Sequence, residues 1–197
     1  MAAVKWRVLN RMTPKPPAAF ELLLPRTIEG ESIHLDAGSE VLRLFDECGR
    51  GLRRYIASFG LGAEASDDLL QEAFLSLFRH LCLDRSRRNL KGWLFRVAHN
   101  LALKQRQRNV RAQQSDVVAD AIADPADNPE QHVAGQQRRQ RLRAVVRALP
   151  ERDRHCLYLR AEGLPYRDIA ETLGISLGSV AKSIARAVAR LTRADLG

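Results

Sequence analysis

Between Leu164 and Leu191 the chain reads LPYRDIAETLGISLGSVAKSIARAVARL, and Gly174 near its centre limits the fold more than any other residue. Ahead of it, Ile169, Ala170 and Leu173 fall at i, i+1 and i+4, one apolar side of a short helix over Tyr166–Leu173. Gly174 tolerates the positive φ that a sharp helix end requires. Ser176 then offers its hydroxyl as an N-cap for a second helix over residues 177–193. In that helix Val180, Ile184, Ala187, Val188 and Leu191 are expected inward, and Lys182, Arg186 and Arg190 outward. Two short helices joined by a glycine turn, the second with a basic outer face, predict a helix-turn-helix whose recognition helix enters the major groove.

An ordinary helical hairpin with a solvated basic face would show the same pattern, so the charge of the whole chain matters. Its net charge is +9, carried mostly by arginine, which forks to phosphates and to guanine edges. That balance suits a polyanionic partner. At 197 residues the chain has room for one domain or two small ones. Cys48, Cys82 and Cys156 are scattered without CxxC spacing and read as small core residues in a reducing compartment. His80 and Cys82 form only half of a metal site, so no metal and no cofactor is expected. There is no HExxH, P-loop or GxSxG, and the adjacent Asp67 and Asp68 face different directions on a helix, which argues against an enzyme. No apolar run reaches the roughly 20 residues that cross a bilayer. The N-terminus lacks a signal-peptide core, and a cytoplasmic protein is expected.

Residues 1–38 read as a loose tail, broken by Pro14, Pro16, Pro17 and Pro25, with Met12 a second possible start. A first helix is expected from Ser39, its cap, with Val41, Leu42, Phe45, Leu52, Tyr55, Ile56 and Phe59 inward. Gly49 and Gly51 weaken its middle and point to a kink or break, and Gly60 and Gly62 close it. A second helix over residues 65–83 is capped by Ser66, buries Leu70, Ala73, Phe74, Leu77 and Leu81, and leaves Asp68, Gln71 and Glu72 outside as an acidic patch. After a basic connection, a third over residues 90–108 buries Leu90, Trp93, Leu94, Val97, Ala98 and Leu101. His99 and Asn100, poor helix formers, sit mid-helix on its other side. Asp116, Asp120, Asp124, Asp127 and Glu130, with Pro125 and Pro129, mark an acidic linker over residues 111–136. Two more helices follow, one stopped by Pro150 and one by Gly163, and they complete a four-helix domain over residues 137–197. The fold class is therefore all-α: two small helical domains, 39–110 and 137–197, joined by a flexible acidic linker.

Taken in order, three segments carry a family resemblance. DDLLQEAFLSLFRHL is similar to a DLxQExFLxLxR helix, and LKGWLFRVAHNLA to a WLxxIAxN segment. ALPERDRHCLYLRAEGLPYRDIAETLGISLGSV follows the pattern LPxRxRxxxxLRxxEGLxYxEIAxxLGISxGxV. Over residues 40–191 the chain thus resembles bacterial RNA polymerase sigma factors of the extracytoplasmic-function (ECF) type. The resemblance implies that Asp68, Leu69, Gln71 and Glu72 dock on the clamp helices of the largest subunit of core RNA polymerase. It implies that Arg85, Arg87, Arg88, Asn89, Arg96, His99, Asn100 and Lys104 meet the promoter −10 element, where a flipped base costs a few kcal/mol to extrude. Arg167, Ser176, Ser179, Lys182, Ser183, Arg186 and Arg190 would face the −35 element, with the second domain at the flap of the second-largest subunit. The linker would run toward the active-site and RNA-exit channels, its acids imitating nucleic acid. An anti-sigma factor is a further implied partner, and the free protein is expected to be a monomer. The chain departs from the pattern at Ala181 and Ser183, where relatives often carry basic residues, at Lys104, where many carry an acid, and in its proline-rich tail. The alternative is a polymerase-independent regulator that binds operators as a dimer.

Overall fold

The computed structural model describes residues 28–83, 85–113 and 133–196. Among them, α1 (Ile28–Ala57), α2 (Ala63–Cys82) and α3 (Leu90–Gln113) form an N-terminal unit. A C-terminal unit follows, of α4 (Val133–Arg147), α5 (Glu151–Ala161), α6 (Tyr166–Leu173) and α7 (Leu177–Leu196).

Helix α1 starts well before Ser39, whose hydroxyl donates mid-helix to the carbonyl of Leu35 at 2.9 Å instead of capping. Ala37 is buried, so the folded part of the chain reaches into the stretch expected to be a tail. No break occurs at Gly49 or Gly51, because the gaps left by their missing side chains are used by neighbours. The ring of Phe45 covers Gly49, and a carboxylate from the C-terminal unit occupies the space beside Gly51. Leu44, Leu52, Tyr55 and Ile56 are fully buried, each such side chain worth about 1.5–3 kcal/mol on transfer from water.

Helix α2 begins at Ala63 with Gly62 at the cap, so Ser66 lies inside the first turn and donates to the Gly62 carbonyl at 2.8 Å. Leu70, Ala73, Phe74, Leu77 and Leu81 bury the expected stripe. Arg53 grips Asp67 with two hydrogen bonds, 2.5 and 2.9 Å, and ties α2 to α1. Asn89 caps α3: its φ is +53°, and its side-chain oxygen accepts from the Gly92 amide at 3.1 Å. A methyl on Gly92 would lie 2.5 Å from the Asn89 amide nitrogen, so glycine makes room for the cap. Phe95 and Ala102 extend the buried face of α3 beyond the expected residues. This helix runs on to Gln113, and α4 starts at Val133, so the intervening connection is shorter than the expected linker. The five linker acids and both linker prolines fall outside the described residues.

In the C-terminal unit, Gly163 at φ +87° ends α5 and Gly174 at φ +64° ends α6 in the left-handed conformation. The Ile175 amide closes that turn on the Ala170 carbonyl at 3.1 Å. Ser176 caps α7 as expected, accepting from the Ser179 amide at 3.2 Å. Val180, Ile184 and Ala187 are buried on α7, but Val188 is 48% exposed. It stands one position round the helix from Ala187 and clears the strip that α5 covers. Cys48 and Cys156 are buried free thiols and Cys82 is a half-buried one. Burial pushes the Cys48 thiol up to about 11, which keeps it protonated.

The two units pack on each other, α3 against α6 and α1 against α5, with buried residues of both in one continuous apolar core.

Candidate polymerase and nucleic-acid interfaces

The acidic patch forms as expected. Asp68, Gln71 and Glu72 are exposed on one side of α2, and Leu69 is half-buried between them and the core. Arg79 approaches Glu72 only to 3.9 Å, and the Arg53 pair turns Asp67 away from Asp68. The result is a rigid helix face carrying two carboxylates and an amide, set on an underlying apolar stripe.

The basic connection is tied back to α2 at Ser86. His80 Nε2 meets the Ser86 carbonyl at 2.9 Å while its ring lies 4.5 Å from the Trp93 ring. Arg85, Arg87, Arg88 and Asn89 are exposed along it, and Arg87 reaches Asp36 of α1 at 2.5 Å. On α3, Asn100 and Lys104 are exposed and Arg96 is half-buried. His99 is not on this surface. It is only 7% exposed, and the hydroxyl of Tyr55 sits 2.7 Å from its Nδ1. The sequence places His99 on a polar side of α3, but its ring is enclosed by Tyr55 and Phe59 of α1 and His155 of α5.

Between the units lies a cluster of rings. Phe59 stacks on His155 at 4.2 Å, Tyr55 meets His155 edge-on at 5.5 Å, and Phe59 meets His99 at 5.4 Å. Burial lowers His99 and brings His155 down to about 4, so both imidazoles are neutral at pH 7. Around the cluster, Arg154 donates to the Ser58 carbonyl at 3.1 Å and Arg54 to Glu162 at 3.1 Å. Asn89 donates to Asp168 at 2.7 Å, Arg96 to Glu171 at 2.7 Å and Arg106 to Glu151 at 2.6 Å. Burial raises the Glu151 carboxyl, but the hydrogen bond and charge of Arg106 outweigh it and leave a net lowering.

The helix-turn-helix is α6 and α7. Arg167, Ser176, Lys182 and Arg190 are exposed and Ser179 is half-buried near the start of α7. Of the other expected groove residues, one is buried and one is paired. Ser183 is 0% exposed, under α5, and its hydroxyl accepts from Arg186 at 3.1 Å. Arg186 is exposed as expected, but its guanidinium is engaged by Asp153 of α5, with hydrogen bonds of 3.0 and 2.7 Å. That guanidinium holds the Asp153 carboxyl below the usual range against the opposing effect of burial. Asp153 escaped the sequence reading because an acid in a first helical turn is explained by the helix dipole alone. The outer face of α7 carries Leu177, Ala181, Lys182, Ala185, the paired Arg186 and Arg190, all exposed.

A helical chain that ends in a helix-turn-helix and exposes basic surfaces apart from an acidic one has the layout of a DNA-binding protein. Comparison with known proteins narrows the class. Residues 44–112 match the Sigma-70 region 2 family and residues 139–191 the Sigma-70, region 4 family. The ECF RNA polymerase sigma factor SigM of Mycobacterium tuberculosis is 31% identical over 77% of this chain and 74% of its own length. SigE of Mycolicibacterium smegmatis, another ECF RNA polymerase sigma factor, is 34% identical over 61% of this chain. That match spans 48% of the SigE chain, about half its length. In fold, the chain is similar to the sigma factor RpoE of Bartonella quintana, solved in complex with the anti-sigma factor NepR, at a TM-score of 0.61 and 21% identity. That alignment covers 79% of this chain and 96% of RpoE. The chain belongs to the RNA polymerase sigma factors of the ECF type.

Proposed function

We propose that this chain is a dissociable promoter-specificity subunit of bacterial RNA polymerase, acting in the cytoplasm by binding rather than by catalysis. The observation that carries this reading is the joint presence of region 2 and region 4 matches on a chain whose α2 exposes Asp68, Gln71 and Glu72. A promoter is a polyanion and repels that face, whereas a basic surface on a protein attracts it. Its occupant is core RNA polymerase, at the clamp helices of the largest subunit, with Leu69 supplying apolar contact. Arg85, Arg87, Arg88, Asn89, Arg96, Asn100 and Lys104 face the −10 element, whereas His99 is enclosed beside Tyr55 and Phe59. Arg167, Ser176, Ser179, Lys182 and Arg190 face the −35 element, and the C-terminal unit sits at the flap of the second-largest subunit. The likeness to RpoE in its NepR complex supports an anti-sigma factor as a further partner. Among the described residues no helix is long and apolar enough to cross a membrane.

The test is size exclusion with bacterial core RNA polymerase, comparing wild type with the double variant Asp68→Arg/Glu72→Arg. Co-elution of wild type alone supports the reading and its docking face. A protein that binds duplex DNA and ignores the polymerase would be an operator-binding regulator instead.

A further inference from the structure

Lys182, Arg186 and Arg190 follow one another at intervals of four on the exposed side of α7, and Arg186, the middle one, is held in place. Its Nε donates to Asp153 Oδ2 at 3.0 Å and its Nη2 to Oδ1 at 2.7 Å. Nη2 also donates to the Ser183 hydroxyl, one turn back, at 3.1 Å. Nε and Nη2 are thus engaged within the protein, whereas Nη1, on the opposite side of the planar group, has no partner among the described residues. The Asp153 side chain is 2% exposed and that of Arg186 50%, so the carboxylate is sunk in the unit and the guanidinium stands at its surface. A buried ion pair is often no better for stability than apolar side chains of the same volume. Stability alone does not account for this pair, and a fixed direction for Arg186 does.

We propose that Asp153 is a positioning residue for DNA: with Ser183 it fixes Arg186 on the outer face of α7 so that Nη1 meets one backbone phosphate of the duplex. The proposal rests on the reading of α7 as the helix that faces the −35 element, and it adds Arg186 to that face by way of its partner. A phosphate is the acceptor that the geometry favours. Reading a guanine takes two adjacent donors on one edge of the guanidinium, and both edges that include Nη2 are engaged. Nη1 keeps its N–H groups for the oxygens of a single phosphate. Backbone contacts carry no sequence information but set the register of a helix in its groove. An arginine already ordered before binding also loses little freedom when the contact forms. The pairing has an electrostatic consequence. Asp153 cancels the charge of Arg186, so the wild-type protein draws less on counterion release than three unpaired cations in this row would.

The experiment uses the full chain and a fluorescein-labelled pool of random-sequence duplexes, about 25 base pairs long, with affinity read by fluorescence anisotropy over a range of salt concentrations. A random pool suits a contact that does not depend on sequence. Far-ultraviolet circular dichroism sets a temperature at which every protein keeps wild-type helix content. Arg186→Ala is expected to bind about threefold to tenfold more weakly than wild type. Asp153→Asn frees the guanidinium as a mobile, full charge. Its plot of log affinity against log salt should be steeper by about one, tighter than wild type at low salt and weaker at high salt, so that the two lines cross. In Asp153→Asn/Arg186→Ala the extra steepness should vanish, because Asp153 acts only through Arg186. That double variant strands no buried charge and stands in for Arg186→Ala if the single variant does not fold. A merely structural Asp153 would give a parallel line displaced to weaker binding. A general effect of removing an acid would keep the steeper line in the double variant. Either result overturns the proposal. Lys182→Ala separates it from the −35 reading: if that variant alone loses affinity, α7 meets DNA without Arg186 and only the proposal fails. If no variant changes binding, or wild type does not bind the pool at low salt, the −35 reading fails with it.

Discussion

Arg186 and Asp153, 33 positions apart, form a two-pronged ion pair that clamps the recognition helix α7 to α5. Its partners are unequally placed. The Asp153 side chain is almost completely buried, whereas that of Arg186 is half exposed. Removing one or the other therefore has different consequences.

Arg186→Ala strands a buried carboxylate, and a loss of about 3 kcal/mol or more is expected. Asp153→Asn leaves a guanidinium that water can reach, and a smaller loss of about 1.5–2 kcal/mol is expected. Urea unfolding at neutral pH measures both. Equal losses, or the reverse order, would show that the pair does not hold α7 as described.

Acid should weaken the fold through His155. Burial keeps it neutral down to about 4, whereas the unfolded residue takes a proton near 6.5. Between those values the unfolded state binds more protons, so stability is complete above pH 6.5 and falls as pH drops toward 4. The expected slope is about 1.4 kcal/mol per pH unit for this one group. Burial also lowers His99, which adds in the same sense. Denaturant unfolding between pH 7 and 5 in wild type and His155→Phe tests this: the variant's slope should be flatter by about one proton.

Asn89 combines a cap with a left-handed backbone, and two substitutions separate the contributions. Asn89→Ala loses the cap and strains φ, for an expected cost of about 2 kcal/mol. Asn89→Gly loses the cap alone, and a glycine there costs only a few tenths. Thermal unfolding should place Gly well above Ala. A pair of identical melting curves would rule out the backbone contribution.

On α7, Lys182 and Ser183 are neighbours with opposite roles. Lys182→Ala should weaken duplex DNA binding about equally for all sequences and reduce the salt slope by about one. Ser183→Ala should leave that slope unchanged and lower stability by about 1 kcal/mol through its lost bond with Arg186. Affinity measured against salt concentration for each variant distinguishes them.

What the sequence reveals here is mostly local. Gly174 and Ser176 act through neighbours fewer than five residues away, so the helix-turn-helix could be read with its turn and cap in place. The exposed acids of α2 follow from periodicity alone. Ser66 and Ser39 misled because a serine in a helix can also satisfy its hydroxyl on the carbonyl four residues back, which leaves no mark in the sequence. Ser183, Arg186 and His99 lie on nominally polar faces. Their burial or pairing depends on Asp153, Tyr55 and His155, partners 30 to 56 residues away. A helical wheel shows which side of α3 is polar but not that rings of α1 and α5 enclose His99 there.

Both sides of the contact that packs Glu162 beside Gly51 belong to one chain, so its closure is a first-order equilibrium. Diluting the protein does not open it, unlike a complex of two separate chains.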